Sequence, residues 1–342
     1  MAMASILTAA ILAAAASITV GVAFNVPAIS FDDGYAPLFG ERNIVRSPDG
    51  GSVKIILDKA SGSGIISTDL YYHGLFSASI KLPSDYTAGV VVAFYMSNGD
   101  IFEKNHDELD FEFLGNIWGK EWRVQTNVYG NGSTNRGREE RYRLPFDPTA
   151  ESHRYSILWT NTTIIFYIDE IPIREVERSD AMGGDYPSKP MSIYATIWDG
   201  SNWATSGGKH KIDYKYAPFV SDFSDPNTQR LPPRPNPATP AMEQCREEEG
   251  RTAAADYSVM TPEKRKEMQR FRREYMIYSI CYDELRYPVA FPDCKVVEEE
   301  KERFKKSGHV IAHPVPAGRR QRQRRRGRAQ RKGSYSSRVA NA

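Results

Sequence analysis

From Phe31 to about Phe223 the chain is a train of short apolar runs with period-two alternation. Examples are Val53-Lys-Ile-Ile-Leu57, Phe76-Ser-Ala-Ser-Ile-Lys-Leu82, Val90-Val-Val-Ala-Phe-Tyr-Met96, Tyr155-Ser-Ile-Leu-Trp159 and Ile164-Ile-Phe-Tyr-Ile-Asp169. Turn clusters separate them, among them Ser47-Pro-Asp-Gly-Gly51, Ser97-Asn-Gly-Asp100 and Asp199-Gly-Ser-Asn202. Alternate residues of a strand share a face, so this pattern predicts many short half-buried strands in an antiparallel sandwich or jelly roll. Neither a long helical pattern nor an internal repeat interrupts it. The pattern changes at Pro226–Pro240, where six prolines predict an extended linker leaving or wrapping the sandwich. Thr261-Pro262 then reads as a helix cap followed by proline at the first helical position. Met268, Phe271, Tyr275, Tyr278 and Tyr282 follow at three-and-four spacing, which predicts one amphipathic helix docked on the sandwich.

The two ends of the chain differ from the body. Ile6–Phe24 is an Ala-rich apolar stretch with small residues before Phe24, which reads as a signal peptide over residues 1–23. The mature protein is then secreted and free of the membrane. Asn131-Gly-Ser133 and Asn161-Thr-Thr163 are acceptor sequons for glycosylation, which fits secretion. The formal net charge of +2 conceals an asymmetry: Gly318–Ala342 holds ten Lys and Arg and no acid, so the rest of the chain carries −8. Residues 307–342 form a basic tail too polar to fold alone. A secretory start argues against nucleic acid as its partner, and acidic pectin is the polyanion of the right charge. The three cysteines leave one odd member. Cys281 and Cys294, closing a short loop, are paired, and Cys245 stays single. The six histidines are scattered and no Cys-x-x-Cys occurs, so neither metal nor other cofactor is expected.

Chemistry concentrates in His106-Asp-Glu-Leu-Asp-Phe-Glu-Phe-Leu-Gly115. On a strand His106, Glu108, Asp110 and Glu112 point one way, and Leu109, Phe111 and Phe113 point toward the core. Three acids in a row on one face repel one another, and a merely solvated face would mix its charges. Two carboxyls flanking a sugar–sugar bond are the apparatus of glycoside hydrolysis, one as nucleophile and one as proton donor. Residues four apart on a flat strand lie about 13 Å apart at the backbone. A retaining pair needs carboxyls about 5 Å apart, so the sheet must be concave with the Glu side chains leaning together. A non-catalytic sugar-binding jelly roll would have no use for that aligned pair.

These residues resemble the active-site signature of the xyloglucan endotransglucosylase/hydrolases of glycoside hydrolase family 16. The resemblance runs from about Phe24 to Lys295 and takes in Gln125-Thr-Asn127, Arg138-Glu139, Phe146-Asp-Pro-Thr149, Trp198-Asp-Gly-Ser-Asn-Trp203 and Cys281-Tyr-Asp-Glu-Leu-Arg286. It implies an all-β, concanavalin-like jelly roll over residues 24–225 and a C-terminal extension over 226–306. It further implies a retaining enzyme, monomeric in the cell wall and apoplast of a plant, that cuts and rejoins xyloglucan donor and acceptor chains. By resemblance Glu108 is the nucleophile, Asp110 its helper and Glu112 the acid/base. His106, Gln125, Thr126, Asn127, Gly137, Arg138, Glu139, Trp198, Asn202, Trp203, Gly207 and Arg286 would bind the glucan. Core packing is an alternative role for the two tryptophans, and capping of a helix end is one for Arg286. The sequon at Asn131 and the basic tail are most similar to a divergent subgroup that acts mainly as transglucosylases, and hydrolysis on the same scaffold is the alternative. Departures are Leu144-Pro145-Phe146 in place of a Leu-Trp-Phe run, Gly137 and Asn202 where Asp is usual, and no sequon at Asn116-Ile-Trp118. The proline predicts that its strand is an edge or locally bent.

Overall fold

The computed structural model describes residues 29–230 and 255–307. The expected signal peptide, most of the proline-rich linker with Cys245, and the basic tail lie outside the described residues. After a one-turn helix, α1 (Phe31–Gly34), two antiparallel sheets face each other. The eight-stranded sheet runs in the order β1 (Tyr35–Phe39), β4 (Ser63–Ser67), β13 (Ser192–Asp199), β6 (Val90–Ser97), β7 (Glu108–Leu114), β8 (Arg123–Tyr129), β9 (Glu140–Tyr142), β15 (Met276–Ser279). The seven-stranded sheet runs β12 (Ile171–Glu177), β11 (Thr163–Ile168), β10 (His153–Trp159), β5 (Gly74–Lys81), β14 (Phe219–Arg230), β3 (Ser52–Leu57), β2 (Ile44–Arg46). The all-β sandwich with a helical C-terminal extension expected from the alternation is the fold observed.

Alternation holds the layers together. Val90, Val92, Phe94 and Met96 of β6 and Leu109, Phe111 and Phe113 of β7 enter the central core, where they meet Tyr155, Ile157, Ile164 and Phe166 of the other sheet. Phe111 sits edge-on to Phe166 at 5.2 Å and Phe113 edge-on to Tyr155 at 4.6 Å. Such tilted ring pairs bury large area and fix the spacing of the sheets. The run at β11 is apolar on both faces for a different reason. Ile165 and Tyr167 turn outward into a second cluster with Leu75 and Leu158, covered by Tyr257, Met260 and Met268 of the extension.

Three elements differ from the sequence reading. The helix α2 (Pro262–Tyr275) starts as expected, with the Thr261 hydroxyl accepting from Lys264 N, but it stops at Tyr275. Tyr278 therefore lies on β15 and Tyr282 beyond it, not on the helix; Tyr278 pairs with Arg141 of β9. The stretch Met276-Ile-Tyr-Ser279 is as compatible with a strand as with a helix, and the free edge of β9 decides between them. A further helix, α3 (Glu298–Ser307), follows where no element was expected. β14 continues to Arg230, past the expected boundary at 225, and Pro226 falls where its pairing with β5 shifts register between Ser224 and Asn227. Proline has no N–H to give a ladder, so it is accommodated at that irregularity. The Leu144-Pro145 departure costs no ladder bond either, because β9 ends at Tyr142.

The extension is fastened to one edge of the sandwich by charge as well as by strand pairing. Arg272 of α2 grips Glu140 of β9 with both terminal nitrogens, at 2.7 and 3.0 Å, and also reaches Glu300 of α3 at 3.3 Å. Arg174 of β12 approaches Glu140 from the opposite sheet at 3.5 Å, and Tyr142 donates its hydroxyl to the same carboxylate. The Cys281–Cys294 disulfide is formed. Within its loop Asp293 takes two hydrogen bonds from Arg138, at 2.8 and 3.0 Å.

Candidate active site

β7 lies between β6 and β8, with sheet on both sides, and presents the acidic face outward. Glu108 and Asp110 are largely covered at 9% and 5% exposure, and Glu112 is half-buried. Strand register sets their neighbours. Glu108 stands between Ser97 and Tyr129, Asp110 between Tyr95 and Asn127, and Glu112 between Ala93 and Gln125. The hydroxyls of Ser97 and Tyr95 thus stand beside Glu108 and Asp110 on the β6 side, and the amides of Asn127 and Gln125 beside Asp110 and Glu112 on the β8 side. Ser97 donates its hydroxyl to Glu108 Oε2 at 3.1 Å, and His106 Nε2 lies 3.8 Å from the same oxygen. Gln125 donates from Nε2 to Glu112 Oε2 at 2.5 Å. Tyr95 stacks on Tyr194 of β13 at 4.7 Å, adding a flat aromatic pair to this face.

The other expected residues lie on neighbouring strands and loops. Trp198 and Trp203 lie 6.0 Å apart, both partly buried over Val91, Leu114 and Ala204. Packing and cleft-lining are therefore compatible roles for these rings. Asn202 and Gly207 are exposed on the same loop, and Gly207 adopts φ +69, a conformation glycine enters without strain. Gly137 is buried, and a Cβ there would stand 2.8 Å from the Tyr129 ring, so the absence of a side chain makes room for Tyr129 beside Glu108. Arg138 is buried too, and its guanidinium is committed to Asp293 and Asp185. Glu139 has no exposed side-chain surface; Arg286 donates to it at 2.8 Å and Arg141 lies 3.7 Å away. Arg286 thus reaches a carboxylate of the sandwich rather than a helix end.

One expected sugar contact is corrected. Thr126 sits between Gln125 and Asn127 on β8, so the alternation turns it inward. It is fully buried, and its hydroxyl accepts from Arg174 at 2.9 Å. Sequence reading also passed over Asp107. This buried carboxylate accepts from the backbone N–H groups of Asn131, Ser188 and Lys189 and from the Lys189 ammonium, tying two loops to the start of β7. Its position out of phase with the three acids was the available signal. Ser97, Tyr129 and Arg141 gave none, because their place beside the acids depends on strand register. Both sequon asparagines, Asn131 and Asn161, are exposed in turns.

Residues 31–216 match the family of glycosyl hydrolases family 16, and residues 248–294 match the xyloglucan endo-transglycosylase C-terminus. The chain is 56% identical over 304 residues to the probable xyloglucan endotransglucosylase/hydrolase protein 30 of Arabidopsis thaliana, covering 89% of this chain and 88% of that one. It belongs to the xyloglucan endotransglucosylase/hydrolase family. A second Arabidopsis thaliana relative, the probable xyloglucan endotransglucosylase/hydrolase protein 27, is 57% identical over 281 residues, covering 82% of this chain and 83% of that one. Among solved structures, the laminarinase catalytic domain from Thermotoga maritima superimposes with a TM-score of 0.50 at 16% identity, over 60% of this chain and 97% of that one. That likeness concerns the sandwich fold. The extension bearing α2, β15 and the disulfide is where this family adds to it.

Proposed function

We propose that this enzyme cuts the β-1,4-glucan backbone of xyloglucan and joins the new end to an acceptor chain, with hydrolysis as the competing outcome. The observation that carries the reading is the pair Glu108 and Glu112 on one face of a central strand, the second held by Gln125. In the first step the Glu108 carboxylate attacks the anomeric carbon while the bond from that carbon to the leaving oxygen breaks. Glu112 gives its proton to that oxygen, and a glycosyl ester remains on Glu108. In the second step Glu112 takes a proton from an acceptor hydroxyl, whose oxygen attacks the same carbon and frees Glu108. Asp110, between them, orients the nucleophile. Gln125 and Asn127 from β8 supply amides for sugar hydroxyls, and Trp198 and Trp203 offer apolar faces to pyranose rings. Water and a sugar chain compete for the intermediate, so occupancy of the acceptor side determines the product.

The reading is tested by incubating the purified enzyme with long xyloglucan and labelled xyloglucan oligosaccharide. Label passing into long chains, with a redistribution of sizes that depends on the oligosaccharide, is the expected result. Size reduction indifferent to added acceptor would instead make the protein a hydrolase.

The setting proposed for this activity is a plant cell wall, reached by secretion, with a monomeric enzyme glycosylated at Asn131 and Asn161. The ten cations of Gly318–Ala342 would hold it on acidic pectin, beside its neutral substrate. Deleting Arg319–Ala342 is expected to remove salt-sensitive binding to de-esterified pectin while leaving activity on soluble xyloglucan within about twofold, because charge attraction between exposed groups is screened by salt. Equal pectin binding by both forms at low salt would end this idea.

A further inference from the structure

We infer that Arg141 is a positioning residue for the acid/base, acting through the side-chain amide of Gln125. The inference rests on the role proposed above for Glu112. Three side chains on adjacent strands form a line: Arg141 of β9 donates from Nε to Gln125 Oε1 at 2.6 Å, and Gln125 donates from Nε2 to Glu112 Oε2 at 2.5 Å. The register that places Gln125 opposite both Glu112 and Arg141 produces this line.

A primary amide has one end that accepts and one that donates, and it can turn over. Against a carboxylate, the wrong end sets two oxygens against each other. A guanidinium carries five donors and no acceptor, so whichever end of Gln125 faces Arg141 must be the oxygen. Arg141 thereby obliges Gln125 to present its NH2 to Glu112. Glu112 then meets each proton transfer in one orientation, and general acid–base catalysis is sensitive to that geometry. An ammonium in place of the planar fork would supply charge without the same directional constraint.

Arg141 is itself held by the C-terminal extension. Its guanidinium carbon lies 5.2 Å from the centre of the Tyr278 ring on β15, and Nη2 lies 3.7 Å from Glu139, the carboxylate that Arg286 also engages. Tyr278 in turn donates its hydroxyl to Asp283 at 2.8 Å. The extension thus touches the chemistry by way of a residue two hydrogen bonds from the proton that moves. A tie between β9 and β15 is the plainer role for the same side chain, and the experiment separates the two.

Steady-state kinetics on xyloglucan are compared for Arg141→Met, Gln125→Ala and the double variant, with Glu112→Gln as control. Arg141→Met is expected to lower kcat about tenfold or more, part of what a positioned acid/base supplies, with KM within about twofold. Arg141→Lys is expected to recover part of the loss. The double variant should be no slower than Gln125→Ala alone, because residues acting in series do not add. Additive losses, a loss confined to KM, or an unchanged kcat in Arg141→Met would overturn the inference. If Arg141→Met does not fold, the cycle is run with Arg141→Lys, which keeps a cation beside Glu139, and is read by the same criterion. Retention of full activity by Glu112→Gln would remove the underlying functional reading instead, so the two failures are distinguishable.

Discussion

Glu108→Gln is expected to abolish turnover on xyloglucan, by about a thousandfold or more, because an amide cannot form the glycosyl ester. Glu112→Gln should lose about 10²–10⁴-fold with the natural leaving group, the range supplied by a positioned proton donor. The two variants part company on an activated aryl glycoside. A good leaving group needs little protonation, so the Glu112 variant should regain its first step and accumulate the intermediate. Glu108→Gln should regain nothing. Both side chains project from a strand whose opposite face is fixed by Phe111 and Phe113 in the core, so neither exchange should disturb the fold. Steady-state rates with both substrates, beside thermal melts, check this. Appreciable activity in Glu108→Gln would show that another group is the nucleophile.

Arg272→Met carries the largest expected effect on stability, about 3–5 kcal/mol in denaturant unfolding at neutral pH. Removing one partner of a buried ion pair leaves the other charge uncompensated, which costs more than the pair gained. Here Glu140 is left with Arg174 at 3.5 Å and the Tyr142 hydroxyl, and Glu300 loses its contact with Arg272. Burial would by itself raise the Glu140 pKa, but Arg272 and Arg174, with hydrogen bonds from Arg272 and Tyr142, outweigh it and hold the group at about 2. A carboxylate depressed on folding contributes stability that is complete above its unfolded pKa, near 4.5, and is lost as pH falls toward 2. The wild type should therefore weaken steeply across that interval, by on the order of 3 kcal/mol from this group alone. Glu140→Gln should lack that acid limb, and combined with Arg272→Met it should be less destabilised than Arg272→Met by itself. Urea titrations at a series of pH values supply the test, and an unaltered acid limb in Glu140→Gln would refute it.

What the sequence disclosed, and what it withheld, follows from the range of the forces involved. The face alternation of β7 was legible because a strand repeats every two residues and the apolar members had to go inward. The same rule, applied to Gln125-Thr-Asn127, would have excluded Thr126 from the cleft; naming three consecutive residues as contacts conflicts with strand geometry. Register was not legible. Nothing within Arg141 announces Gln125, and nothing within Gln125 announces Glu112. Glu140 and Arg272 lie 132 positions apart, and each reads as a solvated charge until the extension folds back. The helix overshot for a local reason, since Tyr275, Tyr278 and Tyr282 satisfy helical spacing while the Met276–Ser279 backbone satisfies the open edge of β9 instead.

The central place of β7 divides the molecule into parts that are held with different firmness. Its backbone is paired on both sides and its inner face is locked among rings of the opposite sheet, so its amides exchange with solvent only when the sandwich as a whole opens. Asn202, Ser206 and Gly207 on the loop after β13, and Leu285 and Val289 in the extension, are exposed and lie outside those ladders. Changes at those exposed positions leave the carboxylates where the ladders and the core hold them, so one unyielding floor can serve under surfaces that differ.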